Sequence, residues 1–173
     1  GNEPLDLQVD RFMAAQAILL FLVGVPGIYF HSLFGSRNWR QGIDITNHNR
    51  TINRQKFSRA ELEEALAEPH SLRSKVFARY RQWLVVRAAS SAFHPHGRQK
   101  VLDLDKRVFA LLRTSPAETS QILCLQNVTA QPLHLERLPM KTTRDLLTNR
   151  SVSLPLTLQP YQSLWLESLP SSA

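Results

Sequence analysis

Gly24-Val-Pro-Gly-Ile-Tyr-Phe-His-Ser-Leu-Phe-Gly-Ser-Arg-Asn38 is the stretch on which the reading of this chain turns. Val9–Val23 before it is almost wholly apolar after Arg11, and Gly24-Val25-Pro26-Gly27 breaks any helix that runs into it. Pro26 has no N–H to donate, and glycine readily takes positive φ. Ile28-Tyr29-Phe30 is short and β-prone, so a buried strand is expected there. Gly35, Ser36, Arg37 and Asn38 follow, then Asn47, Asn49, Arg50, Asn53 and Arg54, which places forked and amide donors on one loop. Polar groups at the C-terminal end of a buried parallel strand are where α/β folds bind polar ligands.

Upstream, Gln16 is the only strongly polar side chain between Phe12 and Phe30, so a membrane span competes formally with a buried helix. The span would have to carry Gly24, Pro26 and Gly27 in its last third, whereas helix, turn and strand account for each of them. Glu3, Asp6 and Asp10 give the start an acidic flank, opposite to that of a signal peptide. No membrane association is expected. A helix apolar all round must be covered on more than one side, and this segment has too few partners of its own. A fragment or an oligomer is the expectation.

Downstream, residues 31–57 read as a long loop of a length that is usually functional or disordered. Ser58-Arg-Ala-Glu61 has the spacing of a capping box and predicts a helix over Arg59–Ala67, ending before Pro69. Ser71–Ala89 predicts a second helix, with Leu72, Val76, Phe77, Tyr80, Trp83 and Leu84 on its buried face and Arg73, Lys75, Arg79 and Arg87 largely off it. From Gln99 the pattern changes to short alternating runs. These are Val101–Leu104, Val108–Leu112, Ile122–Leu125, Leu133 with Leu135, Ser151–Leu158 and Ser163–Leu166, separated by turn formers. They predict a small antiparallel sheet or sandwich.

The 173 residues, 43% of them hydrophobic, suffice for one ordinary domain or two small ones, but not for an eight-fold β/α barrel of about 250 residues. Cys124 is the single cysteine and sits between leucines, which suits a buried strand thiol and excludes an intrachain disulfide. His94-Pro-His96 has the look of a metal pair, but His31, His48, His70 and His134 are dispersed and no Cys or carboxylate stands at ligand spacing, so no metal site is expected. The net charge of +7 raises the question of nucleic acid, yet no run of basic residues alternates with aromatics, and none is expected as a partner. Sequons at Asn49, Asn127 and Asn149 would matter only in a secreted eukaryotic protein.

The quoted stretch and Asn47-His-Asn-Arg-Thr-Ile-Asn-Arg54 resemble, in order and spacing, the eighth strand and following loop of the sucrose phosphorylase-like members of the α-amylase clan. Asp145-Leu-Leu-Thr-Asn149, Leu158-Gln-Pro-Tyr161 and Leu164-Trp-Leu166 resemble the terminal β-domain of the same clan. The resemblance implies an α+β chain in which the last helix-strand-helix units of a (β/α)8 barrel, residues 1–97, precede a small antiparallel all-β C-terminal domain, residues 98–173. It implies the C-terminal part of a retaining glycoside phosphorylase that moves a glucosyl group between sucrose or a related α-glucoside and inorganic phosphate, in the cytoplasm and without a cofactor.

Retaining glycoside chemistry needs two carboxylates about 5–5.5 Å apart, and the family's lie on strands before the eighth. None of the 14 acidic residues occupies those motifs. Asp44, the one acid in the polar loop, is not expected to be catalytic. Among candidate sugar contacts, Arg50 falls on the family's arginine that hydrogen-bonds the glucosyl unit, a task for a permanently charged planar fork. Arg37, Asn38, Asn53 and Arg54 are candidates for loop shaping or further sugar contacts. Trp39 and Thr51 stand where relatives often have Asp, which leaves the acceptor open. The expectation for the chain alone is an inactive fragment that pairs as a homodimer, and the alternative is a non-catalytic carbohydrate- or protein-binding module.

Overall fold

The computed structural model describes residues 3–140 and 143–168, so the parts of the two expected modules at positions 1–2, 141–142 and 169–173 lie outside the described residues. The chain forms two compact units that do not follow chain order. One holds residues 1–9 and 27–81, the other 10–26 and 82–173.

The first unit contains the start of α1 (Leu5–Phe21), α2 (Phe30–Leu33), α3 (Arg40–Thr46), a 3-10 turn (Asn49–Asn53), α4 (Arg59–Ala67) and the first half of α5 (Leu72–Ala89). The capping box is present as expected: the Glu61 amide donates to Ser58 Oγ at 3.2 Å, and the Ser58 amide to Glu61 Oε2 at 2.7 Å. Ser71 starts α5, its Oγ accepting from the Ser74 amide at 3.0 Å. Val76 and Tyr80 are fully buried on the predicted face.

Two expectations need correction here. Ile28-Tyr29-Phe30 is not a strand: Ile28 and Tyr29 lie outside regular structure and Phe30 opens α2. A parallel barrel strand is held by ladders to two neighbours, and among the described residues no strand pairs with this segment. Residues 31–57 are also less irregular than a loop, because α3 and the 3-10 turn form within them.

The second unit is built on a six-stranded antiparallel sheet in the order β1-β2-β3-β8-β5-β6. Its strands are β1 (Arg98–Leu102), β2 (Val108–Thr114), β3 (Gln121–Asn127), β5 (Thr143–Asp145), β6 (Arg150–Val152) and β8 (Ser163–Ser168). A separate pair, β4 (Leu133–Leu135) and β7 (Leu156–Leu158), supplies leucines to a core shared with Val108, Ala110, Leu123, Leu125, Leu164 and Leu166 of the sheet. The opposite face of the sheet presents Phe109 and Trp165, against which Phe21 of α1, Trp83 of α5 and Phe93 pack. Cover on both faces explains why β3 is buried at every position from Ile122 to Asn127 and does not alternate. The expected run Ser151–Leu158 is divided between β6 and β7, and β5 has no counterpart among the expected runs. Cys124 is fully buried, and that burial pushes its thiol well above the ordinary range, so it stays protonated.

Two buried polar side chains fasten the connections. Asp145 accepts from the Leu147, Thr148 and Trp165 amides and from Thr148 Oγ1. Asn127 donates to the Gln131 and Gln159 carbonyls and accepts from Thr129. Asn127 is completely buried in the folded chain.

Helix α1 buries Val9, Met13, Ala14, Ala17, Leu20 and Phe21 and leaves Arg11 and Ala15 exposed, so it is one-faced and not apolar all round in its packing. Its end is held by two arginines of the second unit. Arg113 is fully buried and donates to the Phe21 and Leu22 carbonyls, both at 2.9 Å, and to His94 O at 3.0 Å. Arg87 reaches Leu20 O at 3.1 Å and Gly24 O at 2.9 Å. Leu20 and Phe21 carry carbonyls that the C-terminus of α1 leaves without internal partners, at the end where a cation is also favoured by the dipole.

Candidate functional site

The donors expected on the polar loop fall into two groups. α3 ends on Asn47, whose φ of 54° closes the helix in the left-handed region while its amide returns to Ile43 O at 2.7 Å. Thr46 Oγ1 lies 2.7 Å from both Gly42 O and Thr51 Oγ1, and the Trp39 amide donates to Ile52 O at 2.6 Å. Those bonds fold α3 back against the 3-10 turn. A Cβ on Gly42 would fall 2.1 Å from the Trp39 ring, so only glycine permits the indole to lie across this helix.

Arg50, Asn53 and Arg54 are exposed on or just after that turn. The Asn53 carbonyl accepts from the Tyr29 hydroxyl at 3.0 Å, and the Arg54 amide donates to Thr51 O at 3.0 Å. Arg50 presents its guanidinium to solvent. Arg37 and Asn38 instead line a cavity of about 340 Å³ with Trp39, Gln55 and Arg73. Arg50, Asn53 and Arg54 are not among its lining residues.

Arg73 is the member of this cavity that the sequence concealed, since it reads as one more cation on the solvated side of α5. Its guanidinium stacks over Phe57 at 4.1 Å from the ring centroid and donates from Nη1 to Ser36 Oγ at 2.9 Å. Ser36 Oγ is 3.2 Å from His31 Nδ1, and the His31 ring packs against Phe57 and Tyr29. Burial, with Arg73 nearby, holds His31 below the ordinary histidine range, so the imidazole is neutral at pH 7. Gly35 turns the chain into this cluster at φ 58°, and a Cβ there would meet Val76 Cγ2 at 2.8 Å. Neither a residue before Phe57 nor one after Ala65 signals the pairing by spacing, because Ser36 and Arg73 meet only through the tertiary fold.

Sequence comparison identifies relatives of this arrangement. A glucosylglycerate phosphorylase of Spirochaeta thermophila is 53% identical over 127 residues, and one of Allomeiothermus silvanus 39% identical over 167 residues. The chain is homologous to a C-terminal part of these phosphorylases. The matches cover 73% and 96% of the chain but only 21% and 28% of the two relatives, so the chain spans about a quarter of their length. A sucrose phosphorylase of Bifidobacterium adolescentis is 34% identical over 75 residues, 43% of this chain and 15% of the relative. No family model matches the chain.

The fold is that of the C-terminal region of (β/α)8-barrel enzymes of the α-amylase clan. Trehalulose synthase MutB from Pseudomonas mesoacidophila MX-45 superposes with a TM-score of 0.65 at 17% identity, over 91% of this chain and 38% of that one. A maltogenic amylase from S. marinus gives 0.60 at 19% identity, over 92% of this chain and 20% of the other. Among the described residues no cluster of His, Cys, Asp or Glu is arranged for a metal ion, and no helix is long and apolar enough to cross a membrane.

Proposed function

We propose that this chain is the C-terminal part of a retaining glycoside phosphorylase and that the complete enzyme transfers a glucosyl group between glucosylglycerate and inorganic phosphate. The observation that carries the reading is the pair of glucosylglycerate phosphorylases matched over 73% and 96% of the chain, against 43% for the sucrose phosphorylase. In this reading Arg50 contacts the glucosyl unit, supported by its solvent-facing position on the 3-10 turn that α3 and Trp39 anchor. Asn53 and Arg54 shape the same turn. The catalytic carboxylates belong to preceding barrel strands, and the division at residues 97 and 98 separates two modules of the parent, distinct from the compact units.

The test is phosphorolysis by the complete enzyme, with glucose 1-phosphate measured from glucosylglycerate and from sucrose. Release from glucosylglycerate is expected, and a preference for sucrose would overturn the acceptor assignment. The 173-residue chain alone is expected to release none, since it lacks the nucleophile and the acid/base. Its exposed Leu22, Val23, Val25, Tyr29 and Phe30 also favour self-association. A cytoplasmic location, a sugar and phosphate as ligands and no nucleic-acid partner complete the reading.

A further inference from the structure

The 3-10 turn that carries Arg50 buries none of its residues, and α3, which folds back on it, buries only Gly42. Packing therefore contributes little to where this hairpin sits, and its hydrogen bonds decide. Two of them, between Thr46 Oγ1 and Thr51 Oγ1 and from the Trp39 amide to Ile52 O, join α3 to the turn, so they hold the hairpin's shape and not its place. The bond from the Tyr29 hydroxyl to Asn53 O is of another kind. It spans 24 residues and comes from outside the hairpin.

Tyr29 is anchored at its own backbone. It is the N-cap of α2, extended at φ −71° and ψ 141°, and its carbonyl accepts from the Leu33 amide at 3.0 Å. α2 is in turn seated on α5, because Phe34 just after it is buried and stacks on Phe77 at 5.1 Å, and Gly35 lies close against Val76. The phenol is backed by the His31 ring at 5.3 Å. Arg73 can only donate, so Ser36 Oγ accepts from it and has its own hydrogen left for His31 Nδ1, which holds the imidazole in one orientation. We propose that Tyr29 is a positioning residue of the sugar site: its hydroxyl ties the Arg50 hairpin to α2 and α5, and Arg73, Ser36 and His31 keep the phenol aimed at Asn53 O. That the hydroxyl sets the place of the hairpin follows from these bonds alone. That a sugar contact depends on it rests on the role proposed for Arg50.

Tyr29→Phe removes the hydroxyl and keeps the ring, and two measurements read the result. In the whole 173-residue chain, amide exchange at Thr51 and Arg54, whose N–H groups bond within the turn, should quicken roughly 3–10-fold, while Leu62 in α4 keeps its rate. In the complete enzyme, Tyr29→Phe should lower kcat/KM for phosphorolysis of glucosylglycerate by roughly 3–10-fold. In an Arg50→Lys background the same change should cost less than about twofold, because a residue that acts through Arg50 then has nothing left to position. Unchanged exchange in the turn would overturn the proposal. So would a Tyr29→Phe effect that is nil, or equal in the two backgrounds, where Arg50→Lys is itself impaired. If Arg50→Lys leaves kcat/KM unchanged while exchange in the turn still quickens, the tie stands and the sugar contact at Arg50 is what fails.

Discussion

Replacing Arg113 by Met tests what holds the end of α1 to the sheet. The guanidinium is fully buried and pairs with no carboxylate among the described residues; its bonds run to the Phe21, Leu22 and His94 carbonyls at 2.9–3.0 Å and, more weakly, to Arg98 O at 3.4 Å. Hydrogen bonds from a charged donor contribute roughly 1.5–3 kcal/mol each, and burying a charge costs several kcal/mol in the other direction. Removing the donor does not merely cancel these terms, because the Phe21 carbonyl stays buried without a partner at about 1–3 kcal/mol, and the part-buried Leu22 and His94 carbonyls lose theirs as well. Methionine fills most of the volume and restores none of the bonds. The expected net loss is about 3–5 kcal/mol, a large share of the 5–15 kcal/mol by which most domains are stable.

With a urea dependence of about 2 kcal/mol per molar, that loss lowers the unfolding midpoint by roughly 1.5–2.5 M. Trp165, packed at 6.0 Å from Phe21, reports the transition by fluorescence. Arg113→Lys, which keeps the charge and loses the fork, should fall between wild type and Met. A cost below about 1 kcal/mol for Arg113→Met, with α1 still helical to Phe21, would refute the reasoning, since the carbonyls would then have found other partners.

In the complete enzyme, Arg50→Lys should lower kcat/KM for phosphorolysis roughly 10–100-fold, the loss of one forked contact; unchanged kinetics would remove Arg50 from the sugar site. His31 is held below its ordinary value by burial and Arg73, so its neutral form is the one the fold favours. The stability this contributes is complete above about pH 6.5 and declines as the pH falls below it. His31→Gln should flatten that slope between pH 7 and 5 in urea titrations, and an unaltered slope would place the effect elsewhere. Amide exchange should be slower in Ile122–Leu125, bonded to β2 and β8, than at Ile28 and Tyr29, which lie in no ladder; the reverse order would contradict the packing described. Sedimentation equilibrium of the chain at micromolar concentration should give a dimer, and a strictly monomeric mass would show that Leu22–Phe30 needs no partner.

Local chemistry alone was enough for the elements that make their own hydrogen bonds. The capping box at Ser58 and Glu61, the face of α5 with Val76, Tyr80 and Trp83, the Leu158-Gln-Pro-Tyr161 turn into β8 and the buried Cys124 all follow from residues a few positions apart. The resemblance of Gly24–Asn38 and Asn47–Arg54 to the phosphorylases was equally legible, because it resides in the order of residues.

What only the tertiary structure decided were the partners of groups far apart in the chain. Ile28–Phe30 has the residues of a strand and does not form one, since a strand exists only beside the neighbours that pair with it. Arg73 reads as a cation on the solvated side of α5, yet it is fixed between Phe57 and Ser36, and Arg113 is buried among the carbonyls of a helix end 91 and 92 residues away. A cation's environment depends on which dipoles and rings the fold carries to it, and no spacing in the sequence records that.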